Sequence, residues 1–399
     1  AVAAYLAGRL FPDQTFTNDG RSGERHLRSA QTKLQVWLSD RFRFGFSEWL
    51  SNTCYAWDAG ALALLIDEAQ DATMVASATI VLDLLMFDLA LHNFQGTFAP
   101  AMACAGAEQQ RHPERAEVQP VLASAFGESG GNQVTPDITQ LASLFVCRRR
   151  YQVPETISEI AHSDQVVRAR TSQGLDVAEV ASELRAHPEF PRTQSTDLTK
   201  FYWGMQALIA PESLAGSVAY YTAHGMNNQL LPVLERFRPI PRQLLASSVR
   251  SRNPVASGMA LQRGNVQTYR SPNYMLSSAQ YYHPGEFGGQ QHLWHASLPG
   301  GVSVFGTHPG ESRFRSDGRP VVPSRWVGNG INPTIGQHDN VLLVSYDLTV
   351  RGGYLEGKRQ HYAHLYVPFV QFDETRMGVH RVFGEVGGML ITAAQGIQQ

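Results

Sequence analysis

Lysine is nearly missing from this sequence. Of its 33 basic residues only Lys33, Lys200 and Lys358 are lysines, which leaves 30 arginines. That skew reflects either genomic base composition or a demand for the bidentate carboxylate pairing that guanidinium provides and ammonium does not. A surplus of one charge sign is lacking too: 35 acidic residues offset the basic ones, and the formal net charge is −2. Phosphate backbones and anionic membrane surfaces reward a positive field, so neither is an expected partner. Cysteine is scarce, with Cys54, Cys104 and Cys147 widely spaced and no C-x-x-C pair. This excludes a zinc knuckle and a disulfide framework and predicts three buried thiols.

Long hydrophobic runs are also absent. The longest, residues 80–91, is broken by Asp83 and Asp88 and falls short of the roughly 20 residues a bilayer requires, so no membrane span is expected. No G-x-G-x-x-G opens a helix, no Walker A loop occurs, and no H-E-x-x-H is present. Nucleotide chemistry and a catalytic metal are therefore not expected, nor is a serine nucleophile elbow. No cofactor is expected, with room left for a structural divalent metal. The chain opens on Ala1 without a cationic segment and apolar stretch, so a secretion signal is expected to lie outside it.

What is present is 399 residues, 43% of them hydrophobic, enough to fill two or three globular domains. Apolar residues recur at helical spacing over 27–42, 57–69, 74–92, 138–150, 177–186, 198–208, 212–224 and 229–237, so the chain up to about residue 249 reads as all helical. Short links favour antiparallel helix pairs. With no fixed-period repeat, closure into an (α/α) toroid is preferred over a solenoid. Beyond about residue 252 the pattern becomes short runs rich in Val, Tyr, Thr and Leu between Gly-Gly, Pro-Gly and Asn-Gly pairs, which predicts antiparallel strands. The fold class is thus α+β and multidomain: a toroid-like helical domain over 1–250, then an antiparallel β-sandwich over 251–399.

Eight of the 14 histidines lie at or after His283. On a strand, residues i and i+3 face opposite ways, so His292 with His295, or His361 with His364, should contribute only one member each to a common site. Along 274–282, alternation puts Tyr274, Leu276, Ser278, Gln280 and Tyr282 on one face. That face is too polar for a plain sandwich interior, so it either meets solvent or lines a site. Gln291, His292 and Trp294 continue the polar stretch, and Trp326, Asn329, Asn332, Gln337, His338 and Asn340 form a second one. In the helical half, the loop with Glu48, Trp49, Asn52 and Tyr55 and the loop with His92 and Asn93 combine amides, aromatics and ionisable groups. Trp203 offers a sugar-stacking platform or a core residue, whereas Trp49 and Trp326 are expected to be exposed.

The order of helices before strands, with Gly45-Phe46-Ser47-Glu48-Trp49, the 92–98 loop, 274–280 and 290–294, resembles the heparinase II/III-like polysaccharide lyases and their uncharacterised bacterial relatives. The resemblance implies β-elimination on a uronate-containing polysaccharide and a secreted or periplasmic location, and leaves the oligomeric state open. Its catalytic inventory would be drawn from Asn52, Tyr55, His92, Asn93, Tyr274, His292 and His338. Glu48, Trp49, Trp203, Arg270, Gln280, Gln291, Trp294, Trp326 and Asn329 would bind substrate. Two alternatives stand beside it. One is a non-catalytic glycan-binding or structural relative, which the small apolar run 99–105 fits. The other is a toroid glycoside hydrolase, for which Glu48 and Asp58 are the nearest carboxyl pair.

Overall fold

The computed structural model describes residues 1–127, 140–186, 195–224, 232–235, 237–250, 260–310, 324–349, 360–377, 381–386 and 389–394. The chain is α+β, with most helices early and antiparallel strands late. Its contacts divide into two compact units, each assembled from separate stretches. The first comprises Ala1–Phe46, Asn52–Phe98 and Arg115–Ser163, and the second Ser47–Ser51, Ala99–Glu114 and Asp164–Gln399. The units therefore do not divide at residue 250.

The first unit opens with helices α1 (Val2–Leu10), α2 (Gly23–Phe44), α3 (Cys54–Glu68) and α4 (Ala72–Leu91). Local chemistry sets their ends. Ser22 accepts from the Arg25 amide at the start of α2, and Gly45, at φ 69, ends it. Asp71 caps α4 through the amides of Thr73 and Met74, satisfying donors that a helix start leaves unpaired. α3 buries residues on every side. α4 runs 20 residues, and its two interior aspartates both have partners. Tyr151 donates to Asp83 at 2.8 Å and Tyr55 to Asp88 at 2.9 Å. By length and composition α4 would suffice to cross a membrane, and half of its most apolar window is buried in the structure. A two-residue turn at Gln95 (φ 49) and Gly96 (φ 80) joins β1 (Asn93–Phe94) to β2 (Thr97–Phe98), as hairpins of left-handed turn geometry do. Helices Gln119–Phe126, Ala142–Val146 and Glu155–His162 complete this unit; the expected helix over 138–150 is reduced to the second of these. The thiols are not all buried as expected: Cys54 is, Cys104 is half-buried and Cys147 is exposed.

The second unit is built on a six-stranded antiparallel sheet. Its strands are β3 (Val167–Gln173), β4 (Gly264–Arg270), β5 (Met275–Ala279), β6 (Trp294–Leu298), β7 (Val302–Thr307) and β10 (His364–Tyr366), in the spatial order β10-β7-β6-β5-β4-β3. β3 corrects the reading of an all-helical first half. Its arginines alternate with Val167, Ala169 and Thr171, but with few large apolar residues the period of two is faint in the sequence. A hairpin of β8 (Thr334–His338) and β9 (Val341–Ser345) accompanies this sheet, and β11 (Glu374–Met377), β12 (Arg381–Val386) and β13 (Met389–Ala394) form a separate meander. Strand β5 is buried on both faces. Ser277 accepts from the Ala101 amide at 3.0 Å on one side, and on the other Ser278 is bonded to Gln337 of β8. The polar face of 274–282 thus neither meets solvent along β5 nor forms an open lining, because the hairpin covers it. Helices Ser195–Gly204, Leu214–Ala223, Pro232–Glu235 and Arg242–Arg250 belong to the same unit, where Leu214, Tyr221, Leu234, Leu245 and Phe287 share one apolar cluster.

Candidate functional site

In the first unit the structure brings Tyr55 and His92 together around Asp88. The Tyr55 hydroxyl donates to the Asp88 carboxylate, and His92 Nδ1 lies 2.8 Å from the Asp88 carbonyl oxygen, which makes it a donor. Asn93 donates through Nδ2 to Ala161 O at 3.1 Å and accepts from the Gly96 amide at 3.1 Å. The Asn52 carbonyl accepts from the Val118 amide. All four side chains are buried. Their bonds fix the two loops that sequence singled out, and Phe98 packs against both rings, 6.2 Å from Tyr55 and 6.1 Å from His92. Glu48 and Trp49, read from the same loop as Asn52 and Tyr55, belong instead to the second unit.

Trp49, expected to be exposed, is fully buried there. Its indole donates to Gln262 O at 3.1 Å, the Tyr282 hydroxyl accepts from the Gln262 amide at 3.0 Å, and the two rings meet edge to face at 5.7 Å. Glu48 is half-buried and accepts from Gln206 Nε2 at 3.2 Å, while Gln290 Nε2 donates to Gln206 Oε1 at 2.7 Å. Arg270, Gln291, His292, Trp294 and Asn329 are all buried. Asn329 donates to Gln291 O at 2.8 Å, and Gln291 Oε1 accepts from the Gly289 amide at 2.7 Å. His292 and His295 do meet, with Nε2 and Nδ1 2.9 Å apart, against the expectation from strand spacing. The reason is local: His292 precedes β6 and bridges to Met102, so the alternation of a strand does not apply to it. Burial, with His295 adding to it, pushes the His292 imidazole far below its ordinary range, and burial pushes His295 down to about 3. Both are neutral, as desolvation requires.

Trp203 is half-buried and donates to Ser217 Oγ at 2.8 Å. Trp326 stacks on His364 at 3.9 Å with ring planes 7° apart. Gln280 donates to Ser278 Oγ at 2.6 Å and accepts from the Gln337 amide. These contacts account for their positions as packing and bracing groups.

At the surface of the second unit, the turn from β8 to β9 carries His338, Asp339 and Asn340, with Asp339 at φ 48. Arg168 of β3 grips both Asp339 oxygens, Nε to Oδ1 at 2.8 Å and Nη2 to Oδ2 at 2.9 Å, and its guanidinium lies 5.4 Å above the Tyr269 ring. Tyr269 in turn stacks with Tyr274 at 5.7 Å. The hydrogen bond from Arg168 outweighs the opposing effect of burial and, with the Arg168, His338 and Arg170 charges adding to it, holds the Asp339 carboxyl below its ordinary range. Burial and the hydrogen bond with Tyr269 raise the Tyr274 hydroxyl, against a hydrogen bond with Asn340 that lowers it. Two residues expected from sequence flank this turn: Tyr274, half-buried and hydrogen-bonded with Asn340, and His338, exposed beside Asp339. Sequence reading missed Arg168, Arg170, Tyr269 and Asp339; the alternating arginines of β3 were the available signal. Within either unit taken alone, no three metal-ligating side chains converge among the described residues.

One further motif is spelled in the sequence, contrary to expectation: Gly127-Glu128-Ser129-Gly130-Gly131 fits G-x-S-x-G. A nucleophile elbow needs a strand leading into its first glycine. Here helix Gln119–Phe126 leads in and Gly127, at φ 82, caps it; residues 128–139 lie outside the described residues. No family model matches this chain, and no curated protein or solved structure matches it either.

Proposed function

We propose that the protein is a polysaccharide lyase that cleaves an acidic, uronate-containing glycan by β-elimination. The supporting observation is the surface cluster of a phenol (Tyr274), an imidazole (His338), an amide (Asn340) and two guanidiniums (Arg168 and Arg170) around the β8–β9 turn. Elimination breaks the C5–H and C4–O4 bonds and forms a C4=C5 double bond. Charge develops on the uronate carboxyl as the proton leaves, where preorganised donors such as Arg170 and Asn340 stabilise it most. Imidazole suits proton abstraction near neutral pH, which gives His338 the base role. Tyr274, its hydroxyl raised from the ordinary range, stays protonated and supplies the proton to departing O4.

The architecture that goes with this reading is the (α/α) toroid-like domain and β-sandwich of heparinase II/III-like lyases; the helices α1 to α4 and the antiparallel sheet support it at the level of element order. A secreted or periplasmic site of action fits a polymeric substrate, and the balanced charge favours a partner other than nucleic acid or membrane. A second reading, a non-catalytic glycan-binding relative, is favoured by one observation. Tyr55, His92, Asn93 and His292 are buried, and their hydrogen bonds run to internal partners.

Incubation with alginate, glucuronan, ulvan, heparan and chondroitin, followed by ultraviolet absorbance of the unsaturated uronate, tests the proposal. The expected result is a rise with at least one polymer and a loss of roughly 100-fold or more in turnover for Tyr274→Phe and for His338→Ala, with binding retained. A flat trace with retained binding selects the second reading.

A further inference from the structure

We propose that the outward face of β3 and β4 is a binding strip for an acidic glycan segment lying along the strands, with the Tyr274–His338 cluster at one end. This rests on reading that cluster as glycan-facing. The register places Arg168 opposite Tyr269, Arg170 opposite Gln267 and Ser172 opposite Asn265. Side chains directly opposite on antiparallel strands share a face, so these six form a two-by-three array. Arg168, Arg170, Ser172 and Asn265 are exposed, and Gln267 and Tyr269 are half-buried.

Charge identifies the occupant as an anion. Asp339 is the carboxylate of this face, and Arg168 occupies both of its oxygens. Arg170 forms no ion pair among the described residues, which leaves one uncompensated guanidinium on the strip. Shape identifies it as a chain rather than a small ion. The two guanidiniums stand two residues apart, about 7 Å along the strand, and the strip from Arg168 to Ser172 spans roughly 13 Å. With Arg168 held by Asp339, the strip offers one carboxylate site, at Arg170, on a length that suits a short oligosaccharide rather than a single phosphate. The neutral members suit ring hydroxyls. Ser172 donates to Asn265 Oδ1 at 2.8 Å, which turns the Asn265 NH2 outward, and Gln267 adds a second amide. At the cluster end, the stacked Tyr269 and Tyr274 rings present an aromatic face to sugar C–H groups.

Affinity electrophoresis of the full chain through gels holding polyglucuronate, or the same polymer with its carboxyls reduced to alcohols, tests the strip. The acidic polymer should retard the protein and the reduced polymer should not. Arg170→Gln should weaken the retardation about tenfold, as loss of a charged hydrogen bond does, and Gln267→Ala should weaken it less, both with wild-type circular dichroism. Equal retardation by the reduced polymer, unchanged retardation of Arg170→Gln, or stronger retardation by single-stranded DNA would each overturn the strip. Arg170-dependent retardation without any unsaturated product overturns the lyase reading and leaves the strip standing. Product formation with full retardation of Arg170→Gln does the reverse.

Discussion

His283 sits in the left-handed region at φ 40, with Nε2 3.1 Å from Asp176 and Nδ1 3.6 Å from Glu286. Hydrogen bonds to Asp176 and then Glu286 outweigh burial and raise the imidazolium to about 9. Burial alone would raise the Asp176 carboxyl, but the bonds from His283 and the Arg263 amide prevail and hold it low, so it stays charged over the same range. A folded value above the unfolded one, near 6.5, means that the pairs contribute fully below that pH and that their contribution fades as pH climbs through about 9. Urea unfolding followed across this window should show wild-type stability falling by on the order of 2 kcal/mol. His283→Gln should show a flatter profile and lower stability at pH 6. An identical pH dependence in the variant would mean that some other group titrates.

At the scale of elements, Gly264 opens β4 directly against the Trp49 ring; a Cβ there would lie 2.4 Å from it. Ring atoms so close cannot yield without moving the 47–51 segment, so Gly264→Ala should cost about 1–3 kcal/mol and shift the Trp49 fluorescence. A thermal melt with intrinsic emission checks both. Nothing in the sequence marks this contact, since its two members are distant along the chain. The helices fared better where apolar period and cap agree: 27–42 was expected within what is Gly23–Phe44, and 74–92 overlaps Ala72–Leu91 to within two residues at either end. Strands with Val, Phe and Leu were legible too, as at Val302–Thr307 and Val341–Ser345. β3 and β8 were not, because Arg, Thr, Gln and Gly carry little hydrophobic alternation and their strand form comes from pairing partners. The same cause hid half of the surface cluster. Tyr274 and His338 stand out as residue types, whereas Arg168 acquires meaning only once β3 is known to run beside β4.

For the whole molecule, composition set the broad class correctly and could not reveal how the chain is shared between units. Ser47–Ser51, Ala99–Glu114 and β3 all join the second unit, so Met102 pairs with His292 and Ala101 bonds to Ser277. Dividing the protein at residue 250 would strand β4 without β3 and bare the face over Ser277. Fragment 251–399 is therefore expected to lack a cooperative thermal transition, and fragments 1–250 and 251–399 expressed together should restore one. A sharp melt of 251–399 alone, seen by circular dichroism, would refute this.

Interleaving also governs the order of events at the ribosome. Trp49 and its acceptor Gln262 are 213 residues apart, and synthesis at about 5–20 residues per second separates their emergence by roughly 10–40 s. Throughout that interval the indole and the 99–114 stretch have no strand to rest upon. Apolar surface left waiting in this way is prone to aggregate, so the yield should track how quickly translation passes through the middle of the message.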